Sequence, residues 1–248
     1  MVILMIHTFD GIDIHYERYG NEKGRTLIFL HGWGQNIQMM KPIADPFASE
    51  FDIVIIDLPG HGESSEPTSV LKIPDFVECI RSLVEKLKIT KPTLIGHSFG
   101  GKISLLYASK YEVDKLILFG SPFKKEIQKL SLKTKTLKQI KKIPGMKVFE
   151  EFAKKHIGST DYKNASPIMR QILVEHVNFD ITEEVKKIIC PTIIVWGTND
   201  EAVDISRAYE LESLIKDAGL VVYEGCSHYA YLENLDQTIR VMGSFLRS

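Results

Sequence analysis

Short apolar runs alternate along most of this chain with longer stretches whose apolar residues recur every three or four positions. The first rhythm predicts strands and the second amphipathic helices. Residues 6–9 and 12–19 flank Asp10-Gly11, and Ile12, Ile14 and Tyr16 keep a two-residue period. That pattern predicts a β-hairpin closed by a type I′ turn. Residues 26–30, 51–56, 93–95, 113–119, 191–196 and 220–223 are apolar almost throughout, as strands covered on both faces should be. Between them the spacing predicts helices over 39–48, 75–87, 102–110 and 206–216, and a closing helix over 229–246. Pro42 and Pro46 blur the limits of the first. In the second, Phe76, Ile80, Leu83, Val84 and Leu87 form one stripe, and Cys79 beside it reads as packed rather than reactive.

Strand and helix in turn imply an α/β fold, a largely parallel sheet with helices on both faces. Successive parallel strands emerge in one direction, so Trp33, Ser98 and Ser121, each just past a strand, fall at one edge. The rhythm breaks between 122 and 188. Helical spacing continues there over 124–143, 147–157, 167–177 and 182–188 without a convincing buried strand. We therefore expect a core of 1–121 and 189–248 and a helical cap of 122–188 at that edge.

Composition narrows the picture. The 248 residues suit one large domain with a small insertion. The formal net charge of -1 offers no overall field for nucleic acid or membrane. Locally, residues 124–147 hold nine lysines against one acid, Glu126, a pattern that fits a solvated face over the apolar stripe Ile127, Leu130, Leu137, Ile140. Three scattered cysteines, Cys79, Cys190 and Cys226, form neither a disulfide framework nor a metal motif, and point to reduced thiols in the cytoplasm. No apolar run approaches a membrane span, and the apolar start lacks the marks of a signal peptide. Nothing in the pattern sets the oligomeric state.

The chemistry centres on Thr93-Leu94-Ile95-Gly96-His97-Ser98-Phe99-Gly100-Gly101. A strand, a tight turn and a helix meet there, the context of a nucleophile elbow. A serine hydroxyl is a poor nucleophile until it is exposed, held and deprotonated by a neighbour. Gly96 and Gly100 make room for close backbone approach. The helix start after Ser98 aims unpaired amides at developing negative charge. Read alone, the same letters fit a buried strand, a glycine turn and an unreactive serine cap. Two further polar residues follow later strands, Asp200 in Gly197-Thr198-Asn199-Asp200 and His228 in Gly225-Cys226-Ser227-His228. Nucleophile, acid and base in that order make a candidate Ser98–His228–Asp200 triad. The backbone N–H groups of Phe99 and Trp33 are the candidate oxyanion donors. His31, Trp33, Phe123 and Tyr229 are candidate pocket residues.

These motifs resemble the α/β-hydrolase superfamily, in its compact group of esterases, C–C-bond hydrolases, proline iminopeptidases and haloperoxidase-like proteins. His31-Gly32-Trp33-Gly34 is similar to the oxyanion segment, Asp57-Leu58-Pro59-Gly60-His61-Gly62-Glu63-Ser64 to the loop after the next strand, and Gly96 to Gly100 to the elbow. The resemblance implies eight strands with an antiparallel first hairpin, a cap after the sixth strand, and no metal or organic cofactor. It ranks Asp200 above Asp57 as the acid and leaves Asp57 a structural hydrogen bond. Serine at position 98 sets the chain apart from the dehalogenase and epoxide hydrolase branches, which usually carry aspartate there. The function implied is hydrolysis of a small carboxylic ester with an apolar part. Lactonase, thioesterase, C–C-bond hydrolase and aminopeptidase activities share the machinery, and a non-catalytic ligand-binding protein shares the fold.

Overall fold

The computed structural model describes residues 5–125 and 165–248. Eight strands form one sheet: β1 Met5–Phe9, β2 Ile12–Gly20, β3 Thr26–Leu30, β4 Asp52–Ile56, β5 Thr93–His97, β6 Leu116–Phe119, β7 Thr192–Gly197 and β8 Ala218–Tyr223. Their order is β1-β2-β4-β3-β5-β6-β7-β8. β1 pairs antiparallel with β2 and β2 with β4, and all other pairs are parallel. Asp10 and Gly11 both have positive φ, at 48° and 76°, as the type I′ turn requires.

The helices among the described residues are α1 Lys41–Ala44, α2 Ile73–Lys86, α3 Phe99–Lys110, α4 Pro167–Asn178, α5 Thr182–Val185, α6 Ser206–Leu214, α7 Ala230–Glu233 and α8 Leu235–Arg247. Among the boundaries that differ from the expectation, three involve whole helices. Residues 39–48 are not one helix: 3₁₀ turns at Ile37–Met39 and Asp45–Phe47 flank the single turn of α1, with a proline opening each later piece. The second helix begins at Ile73, because Pro74 is tolerated in a first turn and the Asp75 carboxylate accepts the Lys72 N–H at 2.7 Å. The closing helix is split at Asn234, whose φ of -120° and ψ of 52° are not helical.

The two-residue period of the strands builds two cores. In β3, Ile28 and Leu30 face α2 and α3 with Phe76, Ile80 and Ile103, while Leu27 and Phe29 face the other side with Phe47, Met242 and Leu246. Parallel register brings Leu30 beside Gly96 and His97 beside Phe119, so the loops after β3, β5 and β6 emerge together.

Past β6, α4 and α5 form a cap-like region on the core. Ser166 caps α4 by accepting the Met169 N–H at 3.1 Å, with Pro167 in the first turn. Its other end rests on a buried cation: Lys102 Nζ of α3 donates to the carbonyls of His176 at 2.8 Å and Phe179 at 2.7 Å. A positive charge at a helix C-terminus is favourable, where the last carbonyls have no intrahelical donors. The helices expected over 124–143 and 147–157, and nearly all of the lysine run, lie outside the described residues. Lys102→Met keeps the stem and deletes the donors, so urea unfolding should report a loss of about 1–3 kcal/mol. A neutral result would refute this anchoring role.

Candidate active site

The elbow forms because α3 starts immediately where β5 stops. Ser98 occupies that junction with φ 50° and ψ -109°, a conformation costing on the order of 1–3 kcal/mol for a residue with a side chain. The strain is locked in from both sides: Ser98 N–H donates to Phe119 O at 2.9 Å, and Ser98 O accepts the Lys102 N–H at 3.0 Å. Ser98 stays partly exposed while Phe99 and Gly100 are buried. A Cβ on Gly96 would stand 2.6 Å from Gly101 Cα and 2.7 Å from Gly100 O, so the strand end tolerates no side chain there.

Asp200 follows β7 and His228 follows β8. The Asp200 carboxylate is 1 % exposed and fully oriented. Its Oδ1 accepts the N–H groups of Ala202 and Val203, both at 2.8 Å, and its Oδ2 accepts from His228 Nδ1 at 2.8 Å. That bond places the ring proton on Nδ1 and leaves Nε2 as a base. The Trp196 indole secures the acid loop by donating to Val203 O at 3.0 Å. The base loop is tied to it by Gly225 N–H on Thr198 Oγ1 at 2.8 Å and Asn199 N–H on Cys226 O at 2.9 Å. Ser227 completes the loop by donating its N–H, at 2.8 Å, and its hydroxyl to the Glu233 carboxylate.

Gly120 is the floor between these parts. Its φ is +50°, and a Cβ there would lie 3.0 Å from His228 Nδ1 and 3.3 Å from Asp200 Oδ2. Ser98 thus borders Phe119 through a backbone hydrogen bond, and the Asp200–His228 pair borders the next residue. Among the described residues Ser98 Oγ has no hydrogen bond to the ring; such bonds often tighten only when substrate is bound.

The loop after β3 supplies the second wall. His31 is fully buried: Nε2 accepts the Leu58 N–H at 3.0 Å and Nδ1 donates to Gly32 O at 2.7 Å. The latter bond has a chemical consequence. Gly32 O and Trp33 N–H belong to one trans peptide and point in opposite directions, so holding the carbonyl aims the amide. Among the described residues neither Trp33 N–H nor Phe99 N–H donates to a protein acceptor. The Trp33 ring packs edge-on against Phe99 and His61, with centroids at 5.3 and 4.9 Å.

The other candidate positions differ in surroundings. Phe123 is fully buried in the core, whereas Tyr229 is 42 % exposed beside the His228 ring at 5.8 Å. Asp57 is a structural acceptor: it takes Ile37 N–H at 2.8 Å and Glu63 N–H at 3.0 Å and pairs with His15 Nδ1 at 2.7 Å. Among the described residues no cluster of His, Cys, Asp and Glu suits a metal ion, and no helix is long and apolar enough to cross a membrane.

Four histidines in and around the site are held neutral by burial. His31 is pushed down to about 4 and His61 to about 3, the latter also by the neighbouring His31. His97 falls well below 6.5 through burial and then His228, and His176 through burial and then the Lys102 charge. An unfolded chain protonates its histidines near pH 6.5, and the folded chain does not. Stability is therefore complete above about pH 6.5 and falls as pH drops toward about 4 for His31 and about 3 for His61, by about 1.4 kcal/mol per pH unit per ring. Tm at pH 5.5 should lie below Tm at pH 7.5; an equal or higher value at pH 5.5 would contradict these neutral rings.

Sequence reasoning missed Gly120, Gln35, His97, Lys102 and Glu233. All but Glu233, which holds Ser227 six residues away, act through partners distant in sequence, and only Gly120, a glycine at a strand end between two candidate loops, carried a local sign.

Comparison with known proteins agrees with this architecture. The family model described as the alpha/beta hydrolase fold matches residues 25–134. The AB hydrolase superfamily protein YisY of Bacillus subtilis is 25 % identical over 274 residues, covering 98 % of this chain and 98 % of its own length. Monoacylglycerol lipase ABHD6 of Mus musculus is 26 % identical, covering 90 % of this chain and 76 % of its own. The solved structure of an esterase from Exiguobacterium antarcticum superposes with a TM-score of 0.78 at 25 % identity, covering 98 % of each chain. The chain has the α/β-hydrolase fold.

Proposed function

We propose that this α/β-hydrolase-fold chain is a serine hydrolase of small carboxylic esters, working through Ser98, His228 and Asp200 and an acyl-enzyme. The observation that carries the reading is the Asp200 carboxylate, buried, doubly held by backbone amides and bonded at 2.8 Å to a histidine whose other nitrogen is free to act as base. A carboxylate used only to end a turn has no need of an imidazole at the rim of a strained serine elbow. The relatives named as a lipase and an esterase support ester chemistry.

In the first half-reaction His228 Nε2 takes the Ser98 proton as Oγ attacks the ester carbonyl carbon. The N–H groups of Phe99 and Trp33 receive the oxyanion. His228 then returns the proton to the departing alkoxide, and the acyl group stays on Ser98. In the second, water gives a proton to His228 and attacks the acyl carbon; collapse releases the acid and restores the serine hydroxyl. Asp200 keeps the ring in the productive tautomer and stabilises the imidazolium. Residues 122–188 serve as the cap, and the half-buried Trp33 gives the substrate an apolar contact beside Ser98.

A fluorophosphonate should form a covalent adduct on Ser98, mapped by mass spectrometry. A panel of p-nitrophenyl esters, lactones, acyl-thioesters and amino-acid arylamides should show the highest kcat/KM on short or medium esters. A folded protein that takes no adduct and turns over no ester overturns the reading.

A further inference from the structure

His97, the residue before the nucleophile, has no part in the mechanism above, yet it lies where the base and oxyanion loops meet. Its ring is 1 % exposed and packs on His228, Tyr229 and Tyr231, with centroids at 4.8, 5.4 and 4.8 Å. Its Nε2 lies 3.1 Å from His228 O. Its Nδ1 lies 3.2 Å from Gln35 Oε1, and that same oxygen accepts the Gly32 N–H at 2.9 Å. A Cβ on Gly32 would stand 2.8 Å from His97 Nδ1, so the oxyanion loop is seated directly against the ring.

We propose that His97 is a positioning residue that ties the base loop carrying His228 to the oxyanion loop carrying Trp33, and so sets both against Ser98. This rests on the serine-hydrolase reading. The chain of contacts runs from His228 O through the ring and the Gln35 amide to Gly32 N–H. His31 holds the carbonyl of the same glycine, so Gly32 is fixed on both sides and the Trp33 amide inherits its direction. The position in sequence serves the role: as the last residue of β5, His97 moves with the nucleophile itself.

A neutral ring has one N–H for two facing oxygens. The His228 carbonyl is a backbone acceptor that cannot be turned over, so the proton belongs on Nε2; Nδ1 then seats against the Gln35–Gly32 pair by packing rather than by a hydrogen bond of its own. Glutamine reaches with its amide N–H to about the place of Nε2, whereas asparagine reaches only to that of Nδ1. The two substitutions therefore separate the two links.

The test compares wild type, His97→Phe, His97→Gln, His97→Asn and Gln35→Leu. Readouts are kcat and KM on p-nitrophenyl butyrate, the rate of fluorophosphonate labelling of Ser98, and Tm. His97→Phe keeps a ring against its aromatic neighbours and loses both links; kcat and the labelling rate should fall about 10- to 100-fold with KM nearly unchanged, as loss of alignment does. His97→Gln should recover most of the loss and His97→Asn little of it. Gln35→Leu should lose activity in the same sense. A folded His97→Phe protein with wild-type kcat overturns the inference, as does rescue by asparagine in place of glutamine. If His97→Phe does not fold, the half-buried Gln35 carries the test, and Gln35→Leu with wild-type kcat overturns it. Wild-type protein that is not labelled at Ser98 fails the hydrolase reading instead, which keeps the two failures apart.

Discussion

Ser98→Ala is expected to lower kcat on p-nitrophenyl esters by a factor on the order of 10⁶, leaving what binding and the oxyanion donors achieve alone. The hydroxyl makes no hydrogen bond that the fold depends on among the described residues, and its backbone anchors, Phe119 O and Lys102 N–H, are untouched by the substitution. Tm should therefore stay near the wild-type value while activity vanishes. Asp200→Asn is the more discriminating partner. The new amide oxygen keeps the Ala202 and Val203 N–H groups, so the loop survives, but the new NH₂ then faces His228 Nδ1. The ring answers by moving its proton to Nε2, the atom that must act as base. The expected loss in kcat is on the order of 10⁴ with little change in KM. An Asp200→Asn protein retaining about a tenth of wild-type kcat, far above that expectation, would remove Asp200 from the mechanism.

The parts of this molecule that were legible in the sequence are those whose cause is local. Asp-Gly at the first hairpin, the apolar runs of the parallel strands and the glycines around Ser98 each impose a backbone shape through their own sterics. What was illegible depends on partners far along the chain. Residues 39–48 have helical spacing, but Pro42 and Pro46 divide them, and Ile37, Met40 and Ile43 are buried as short turns. Nothing beside Asn234 announces the break there. Lys102 is buried under α4 by partners more than seventy positions away. His15 pairs with Asp57 across 42 positions, a partnership decided by the pairing of β2 with β4. Gln35 and His97 meet for a similar reason, the adjacency of β3 and β5.

That adjacency yields the largest structural effect we expect. Gly100→Ala should cost more than about 3 kcal/mol, because the new methyl group has nowhere to go. It would collide with the Leu30 carbonyl, standing 2.5 Å from its carbon, and stand 2.6 Å from His31 O. These are backbone atoms at the end of a central strand and cannot rotate aside as a side chain does. Nor can α3 retreat freely: Gly100 N–H donates to His31 O at 3.1 Å, and Ser98 N–H is held by Phe119 O. Relief requires prising α3 from β3, which also separates the Phe99 amide from the Trp33 amide, so activity should fall even in the fraction that folds. For a chain of this length the expected Tm loss is about 6 °C or more, at roughly 2–4 °C per kcal/mol. Gly219→Ala is the matched control. Its Cβ meets nothing within 4 Å, and it should melt within about 2 °C of wild type, as an ordinary surface substitution does. If Gly100→Ala melts like Gly219→Ala, the contact between elbow helix and oxyanion strand is looser than drawn, and the two amides are not held as a pair.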